Sequence, residues 1–163
     1  MKNLFAPWRI KFITGKKEKG CIFCKKINSK NEEKNLVLYR GKTSFIILNL
    51  YPYSNGHLMV APKKHKGNLS ELTEEEMLEL FKLTELSTKI LKKVSKPQGF
   101  NIGINLGKVA GAGFPGHLHI HVVPRWLGDV NFMPVCSETK VICESLEETY
   151  KKLKKALKMI TEG

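Results

Sequence analysis

Alternation of polar and apolar residues predicts the β-strands of this chain, and it is clearest between residues 117 and 122. Here His117, His119 and His121 are separated by Leu, Ile and Val. Successive side chains of a strand point to opposite faces of the sheet. We therefore expect the histidines to line one face of a half-buried strand, while the aliphatic side chains enter the core.

Four further strands are predicted from short apolar runs that are bounded by turn residues. They span residues 35–39, 44–50, 57–61 and 100–106. A short loop separates the second of these runs from the third. Strands that are joined so closely are expected to be antiparallel neighbours.

Helical periodicity predicts two main helices, one from Thr73 to about Val94 and one that begins at Ser145. Each starts with a capping box, in which Thr73 precedes Glu76 by three positions and Ser145 precedes Glu148. The apolar stripe of the first helix comprises Met77, Leu80, Phe81, Leu83, Leu86, Ile90, Leu91 and Val94. Together these elements predict an α+β fold with an antiparallel sheet of about five strands and two main helices.

The length of 163 residues fits one hydrophobic core. Residues 1–20 contain Trp8 and several other apolar side chains, so we expect an N-terminal arm that packs on the body or on a partner subunit. Residues 21–163 are expected to form a single domain. No apolar run is long enough to span a membrane, and the arm lacks the apolar stretch of a signal peptide. A cytoplasmic protein without membrane contacts is therefore expected.

The formal net charge of +13 allows three interpretations. The lysines either coat a solvated surface, attract a polyanionic substrate or bind nucleic acid. The lysines are spread along the chain and do not interleave with aromatic residues on one element. This distribution disfavours a nucleic-acid-binding module, and no nucleic-acid partner is expected.

All five histidines fall within the regions that the pattern marks as a candidate site. They are His57, His65, His117, His119 and His121. Imidazole changes charge near neutral pH and serves as a nucleophile, an anion ligand or a metal ligand. A row of imidazoles makes a poor core, because buried polar rings need hydrogen-bond partners. The concentration of histidines therefore indicates a functional site.

The pattern His-φ-His-φ-His-φ-φ, with φ apolar, resembles the motif of the histidine triad (HIT) superfamily of nucleotide hydrolases and transferases. Residues 45–49 and 56–62 are similar to the upstream strands of that family. The branch that the chain most resembles is the bacterial diadenosine tetraphosphate phosphorylases, or ATP adenylyltransferases. The residues that carry this likeness are 6–9, 105–107 and 124–132.

The resemblance implies a nucleotidyltransferase that cleaves diadenosine tetraphosphate with inorganic phosphate, giving ATP and ADP. His119 would be the nucleophile and would carry the adenylyl group, with its other ring nitrogen held by a backbone carbonyl. His121 would bind a phosphate oxygen, and His57 would close the site near the phosphates. Two alternatives stay open: hydrolysis by the same intermediate, and a nucleotide-binding regulator without turnover.

The resemblance also implies nucleotide-binding roles outside the triad. Asn49 would hydrogen-bond the ribose, and Asn105 would lie near the phosphates. Backbone amides of the following loop would donate to phosphate oxygens, at Gly107, Gly111, Ala112 and Gly113. The alternative is that these small residues only form a flexible turn.

A second candidate site contains metal ligands. Cys21-x-x-Cys24 alone is compatible with a redox site, a structural site or chance. Several HIT proteins combine such a pair with a Pro-x-x-His segment and the first triad histidine, which here implies His65 and His117. Cys₂His₂ is a common structural zinc set, so we expect structural zinc and no organic cofactor. Without zinc, His117 would support the site through hydrogen bonds.

Cys136 and Cys143 lack this close spacing and are assigned to ordinary packing. The resemblance further implies a homodimer or a higher homo-oligomer. The N-terminal arm and the segment after Trp126 are the candidate subunit contacts.

Overall fold

A computed structural model describes residues 20–129 and 144–162. The predicted N-terminal arm, apart from Gly20, lies outside the described residues, as do Cys136, Cys143 and most of the segment after Trp126.

Five antiparallel strands form one sheet in the order β1-β2-β3-β5-β4. The strands are β1 (Val37–Arg40), β2 (Ser44–Leu48), β3 (Leu58–Pro62), β4 (Gly99–Ile104) and β5 (Ile120–Arg125). The predicted fold class is confirmed. The third and fifth strands lie side by side in the centre, which brings the loop before β3 close to the histidine segment.

The histidine strand begins later than the alternation predicts. Its first residue is Ile120, so His117 and His119 precede it. The backbone amide of Leu118 donates to the carbonyl of Lys66 at 2.7 Å, beyond the end of β3. Alternation nevertheless persists through this extended segment, with Leu118 and Ile120 in the core. The opposite face is not solvated as a half-buried strand would be, because His117 and His119 are also buried.

The helices are α1 (Ile22–Asn28), α2 (Glu32–Asn35), α3 (Glu74–Ser95) and α4 (Leu146–Thr161). Residues 69–71 form a 3-10 turn before α3. The short helix α2 was not predicted, and it includes Asn35, which was assigned to the first strand. The chain leaves α2 through Leu36 in a left-handed conformation, with φ of 59°.

The capping box of α3 is confirmed, since Thr73 and Glu76 each bond the other's backbone amide. At α4, the Ser145 hydroxyl accepts from the Glu148 amide at 3.2 Å. Glu76 also pairs with Lys66 at 2.5 Å, and its side chain is almost completely buried. This buried pair fixes the start of α3 to the chain that follows β3.

The apolar stripe predicted for α3 was wrong at Met77 and Phe81, which are 37% and 65% exposed. The buried face instead includes Thr84 and Ser87 among aliphatic residues. Their hydroxyls donate to carbonyls one turn earlier, at 2.7 and 2.8 Å, so neither is left without a partner. Helix α3 packs against the central strands, and α4 packs against α3 and β1. Within the two described ranges, no helix has the length and apolarity needed to cross a membrane.

Candidate active site and metal cluster

His119 is held in a single tautomer by the backbone. Its Nδ1 lies 2.8 Å from the carbonyl oxygen of His117. Because a carbonyl oxygen only accepts, Nδ1 carries the proton and Nε2 keeps a lone pair. Burial lowers the pKa of the His119 imidazole, which keeps the ring neutral at pH 7. The geometry therefore provides a nucleophilic nitrogen at His119 Nε2.

His121 has the opposite arrangement of its two nitrogens. The amide of Tyr53 donates to His57 Nδ1 at 3.1 Å, so the proton of a neutral His57 is on Nε2. His57 Nε2 lies 2.9 Å from His121 Nδ1 and donates to it. The proton of His121 is then on its Nε2, where it can be donated to an anion. Burial lowers the pKa of His121 to about 4, so this donor is a neutral imidazole at pH 7.

Asn49 lies against the same relay of histidines. Its Nδ2 is 3.2 Å from His57 Nδ1, and its Oδ1 accepts from the Tyr51 amide at 3.0 Å. The side chain therefore supports the orientation of His57. Its predicted contact with a ribose stays a prediction.

The loop that follows β4 uses two of the predicted phosphate donors to close its own turn. The amide of Gly111 donates to the Lys108 carbonyl at 3.1 Å, and the Ala112 amide donates to the Gly107 carbonyl at 3.3 Å. Gly107 and Gly111 have φ values of 82° and 87°, which favour glycine. The turn interpretation therefore accounts for Gly111 and Ala112, while phosphate contacts from Gly107 and Gly113 stay a prediction.

Asn105 lies at the other side of this turn. Its Nδ2 is 3.4 Å from the Gly111 carbonyl, which is a long hydrogen bond. Its predicted place near phosphate also stays a prediction.

Cys21, Cys24, His65 and His117 converge into one cluster, in which the candidate ligand atoms all lie within 4.8 Å of one another. His117 Nδ1 is 3.2 Å from the Cys21 sulfur and 3.6 Å from the Cys24 sulfur. His65 Nδ1 is 3.5 Å from the Cys24 sulfur. Tetrahedral zinc with ordinary bond lengths separates sulfur and nitrogen ligands by about 3.6 Å. The donor set and its spacing therefore fit zinc.

His117 is prepared for this role by its other nitrogen. Nε2 lies 2.8 Å from the Pro62 carbonyl, to which it donates its proton, so Nδ1 presents a lone pair to the two thiols. Burial lowers the pKa of His117. Burial also raises the pKa of the Cys24 thiol, with a contribution from neighbouring Cys21. A cation would offset this by favouring the thiolate.

Phe23 is a site residue that the sequence analysis missed. It lies between the two cysteines in the chain, and its ring is 5.0 Å from the His117 ring and 4.9 Å from the His119 ring, between centroids. Its side chain is buried. Its position inside the Cys-x-x-Cys motif could have identified it as a site residue, because α1 places Phe23 close to the residues that the two cysteines contact.

The arrangement defines a site with a buried histidine whose Nε2 keeps a lone pair, a neighbouring imidazole whose Nε2 carries a proton, and a Cys₂His₂ cluster that shares the histidine segment. The chain belongs to the HIT family, whose domain matches residues 30–126. This match includes all five histidines.

Three comparisons place the chain within the family. It is 47% identical over 119 residues to an AP-4-A phosphorylase of Mycobacterium tuberculosis, which covers 73% of this chain and 61% of that protein. It is 34% identical over 112 residues to the asymmetrical bis(5'-nucleosyl)-tetraphosphatase of Schizosaccharomyces pombe, covering 69% and 58%. A zinc-bound histidine triad protein of Mycobacterium smegmatis aligns with a TM-score of 0.69 and 25% identity, over 88% and 96% of the two chains. The chain thus spans less than two thirds of the length of the first two relatives.

Proposed function

We propose that this protein is a nucleotidyltransferase that cleaves diadenosine tetraphosphate with inorganic phosphate, giving ATP and ADP through adenylylated His119. The hydrogen bond between His119 Nδ1 and the His117 carbonyl carries the proposal, because it leaves Nε2 as the nucleophile. The 47% identity to an AP-4-A phosphorylase supports this substrate class.

The first step forms a bond between His119 Nε2 and the α-phosphorus and breaks the bond between that phosphorus and the bridging oxygen. The departing ATP keeps the electron pair, and its phosphates need no carboxylic acid to protonate them. His121 Nε2–H donates to a non-bridging oxygen and stabilises charge in the transition state. In the second step an oxygen of inorganic phosphate bonds to the adenylyl phosphorus and the bond from that phosphorus to His119 Nε2 breaks. The electron pair returns to Nε2, which restores His119 and releases ADP.

The test supplies the dinucleotide with and without phosphate and traps the protein during turnover. Phosphate-dependent formation of ADP, together with an adenylyl group mapped to His119, is the expected result. Formation of AMP and ATP at a rate that ignores phosphate would contradict phosphorolysis and favour the hydrolase alternative. The 34% identity to a tetraphosphatase is the observation that supports this alternative.

We also propose that Cys21, Cys24, His65 and His117 hold structural zinc. Zinc there would link α1 to the histidine segment and would take no part in bond breaking. Metal analysis of the purified protein tests this, with about one zinc per chain expected. A chain without zinc that keeps full thermal stability would contradict it.

A homodimer in the cytoplasm completes the proposal. Strand β4 pairs with β5 along one side and ends the sheet on the other, among the residues that the structure describes. An edge of this kind can pair with a second chain. Light scattering that gives the mass of a monomer at micromolar concentration would refute the dimer.

A further inference from the structure

We propose that the groove beside His121, on the histidine face of β4 and β5, receives the departing nucleoside polyphosphate, and that Gly103 keeps this groove open. The groove is lined by Tyr53, Asn101, Gly103, Asn105 and His121, among others. The inference rests on the proposed function, because it names where the second half of that substrate lies.

Gly103 is an unexpected residue for the interior of a strand. It pairs directly with His121 across β4 and β5, so a side chain at Gly103 would point to the same face as the imidazole. Among the residues that the structure describes, a Cβ at Gly103 would meet no heavy atom within 4 Å, and the φ of Gly103 is not positive. Neither the backbone conformation nor packing against these residues requires glycine there. A glycine in the interior of a strand destabilises it, and it often marks the close approach of a ligand.

The aromatic rings of the site contact one another in succession, and the last two of them line the groove. Phe23 packs on His119, the centroids of His119 and His121 are 4.8 Å apart, and Tyr53 lies 5.7 Å beyond His121. Phe23 therefore packs against the ring of His119, whereas Tyr53 lines the groove together with His121. An in-line displacement sends the leaving group away from the nucleophile, and the proposal assigns the groove beside His121 to that group.

The walls of the groove suit a nucleoside polyphosphate. The Tyr53 side chain is 54% exposed although its ring contacts His57 and His121. An exposed aromatic ring of this kind is a surface on which a nucleotide base can stack. Asn101 and Asn105 alternate with Gly103 at two-residue spacing, which places all three on one face of the extended segment. Their amides can donate to phosphate or ribose oxygens.

Gly99 provides a matched control, because it begins the same strand and also has open space where its Cβ would lie. It is four residues from Gly103, or about 13 Å along the strand, and it pairs with Arg125. Valine favours strands, so both Gly103→Val and Gly99→Val are expected to fold. Thermal unfolding of both variants checks this.

The experiment compares diadenosine tetraphosphate with adenosine 5'-phosphoramidate, which carries the same adenylyl group and a small leaving group. Gly103→Val should lower kcat/KM for the dinucleotide by about tenfold or more relative to the phosphoramidate. Gly99→Val should leave this ratio unchanged. An equal loss with both substrates, or no loss with the dinucleotide, would overturn the assignment of the groove.

A failure of the proposed function would be visible separately, as a wild-type protein that turns over neither substrate. In that case the assignment of the groove is tested by calorimetry, which measures the binding of ATP to protein saturated with AMP. Weaker ATP binding in Gly103→Val than in Gly99→Val supports the groove, and equal binding in the two variants overturns it.

Discussion

The contacts of His117 predict that the metal cluster positions the nucleophile. The ring of His117 contributes Nδ1 to the cluster, and its backbone carbonyl accepts the proton of His119 Nδ1. Replacing Cys24 with serine removes one candidate ligand of the proposed zinc from a half-buried position while keeping the size of the side chain nearly unchanged. We expect the Cys24→Ser protein to lose the proposed zinc and to hold His117 less firmly.

The size of the effect follows from the single hydrogen bond that fixes His119. Such a bond contributes about 0.5–1.5 kcal/mol net, and 1.4 kcal/mol corresponds to a factor of about ten in rate. Loosening this bond should therefore slow adenylylation of His119 by about two- to tenfold. KM should change little, because no contact of the cluster places it in the groove beside His121.

Rapid-quench measurement of adenylyl-protein gives the rate, and metal analysis gives the zinc content of the same samples. Nitrogen NMR of the imidazoles reports the tautomer of His119, which a purely global loss of stability would not change in the folded fraction. Asn28→Ala, at the exposed end of α1, is the control and should match wild type. If Cys24→Ser loses its metal but keeps both the adenylylation rate and the His119 signals, the coupling is refuted.

Three further predictions concern catalysis and stability. His119→Ala should lower turnover by about 10⁴-fold while nucleotide binding by calorimetry is retained; unchanged turnover would contradict the role of His119 as the nucleophile. The pKa of His121 is about 4 when folded and about 6.5 when unfolded. Above pH 6.5 both states are neutral. Between pH 6.5 and 4 only the unfolded state binds the proton, so the free energy of unfolding should decrease as the pH is lowered through this range. The expected decrease is about 2 kcal/mol, a value reduced to allow for solvent screening of a half-buried ring. In denaturant titrations, His121→Asn should flatten the dependence of the free energy of unfolding on pH between 6.5 and 4. An unchanged dependence would contradict the assignment of this effect to His121. Thr73→Ala removes the α3 cap and should lower the free energy of unfolding by about 1 kcal/mol, which chemical denaturation would show; no change would mean that the cap contributes nothing.

Periodicity predicted the elements that depend on local sequence. The five strands, the capped start of α3 and the start of α4 all follow from patterns within a few residues. Phe81 shows where this reasoning stops, because its helical spacing matches the apolar stripe and yet its ring is exposed. The polar residue Ser87 is buried on α3 instead, and its hydroxyl donates a hydrogen bond to the Leu83 carbonyl of the same helix. Which side of the stripe meets the sheet depends on contacts with distant strands.

At the candidate site, too, the sequence predicts which residues take part but not all of their contacts. The histidines and the cysteine pair could be identified from their spacing, and the structure brings His57 to His121 and His65 to Cys24. Phe23 could be suspected only from its position inside the Cys-x-x-Cys motif. The contact of Tyr53 with His121 could not be predicted, because the two residues lie far apart in the chain.

The three triad histidines have equal spacing, but the position of one proton distinguishes their chemistry. The Pro62 carbonyl fixes the proton of His117 on Nε2, which leaves the lone pair of Nδ1 for the proposed metal. The His117 carbonyl fixes the proton of His119 on Nδ1, which leaves the lone pair of Nε2 for the proposed nucleophilic attack. His57 donates to Nδ1 of His121 and so makes its Nε2 a donor. Each role is therefore set by an acceptor or donor outside the ring, and exchanging these partners would exchange the roles without any change in the motif.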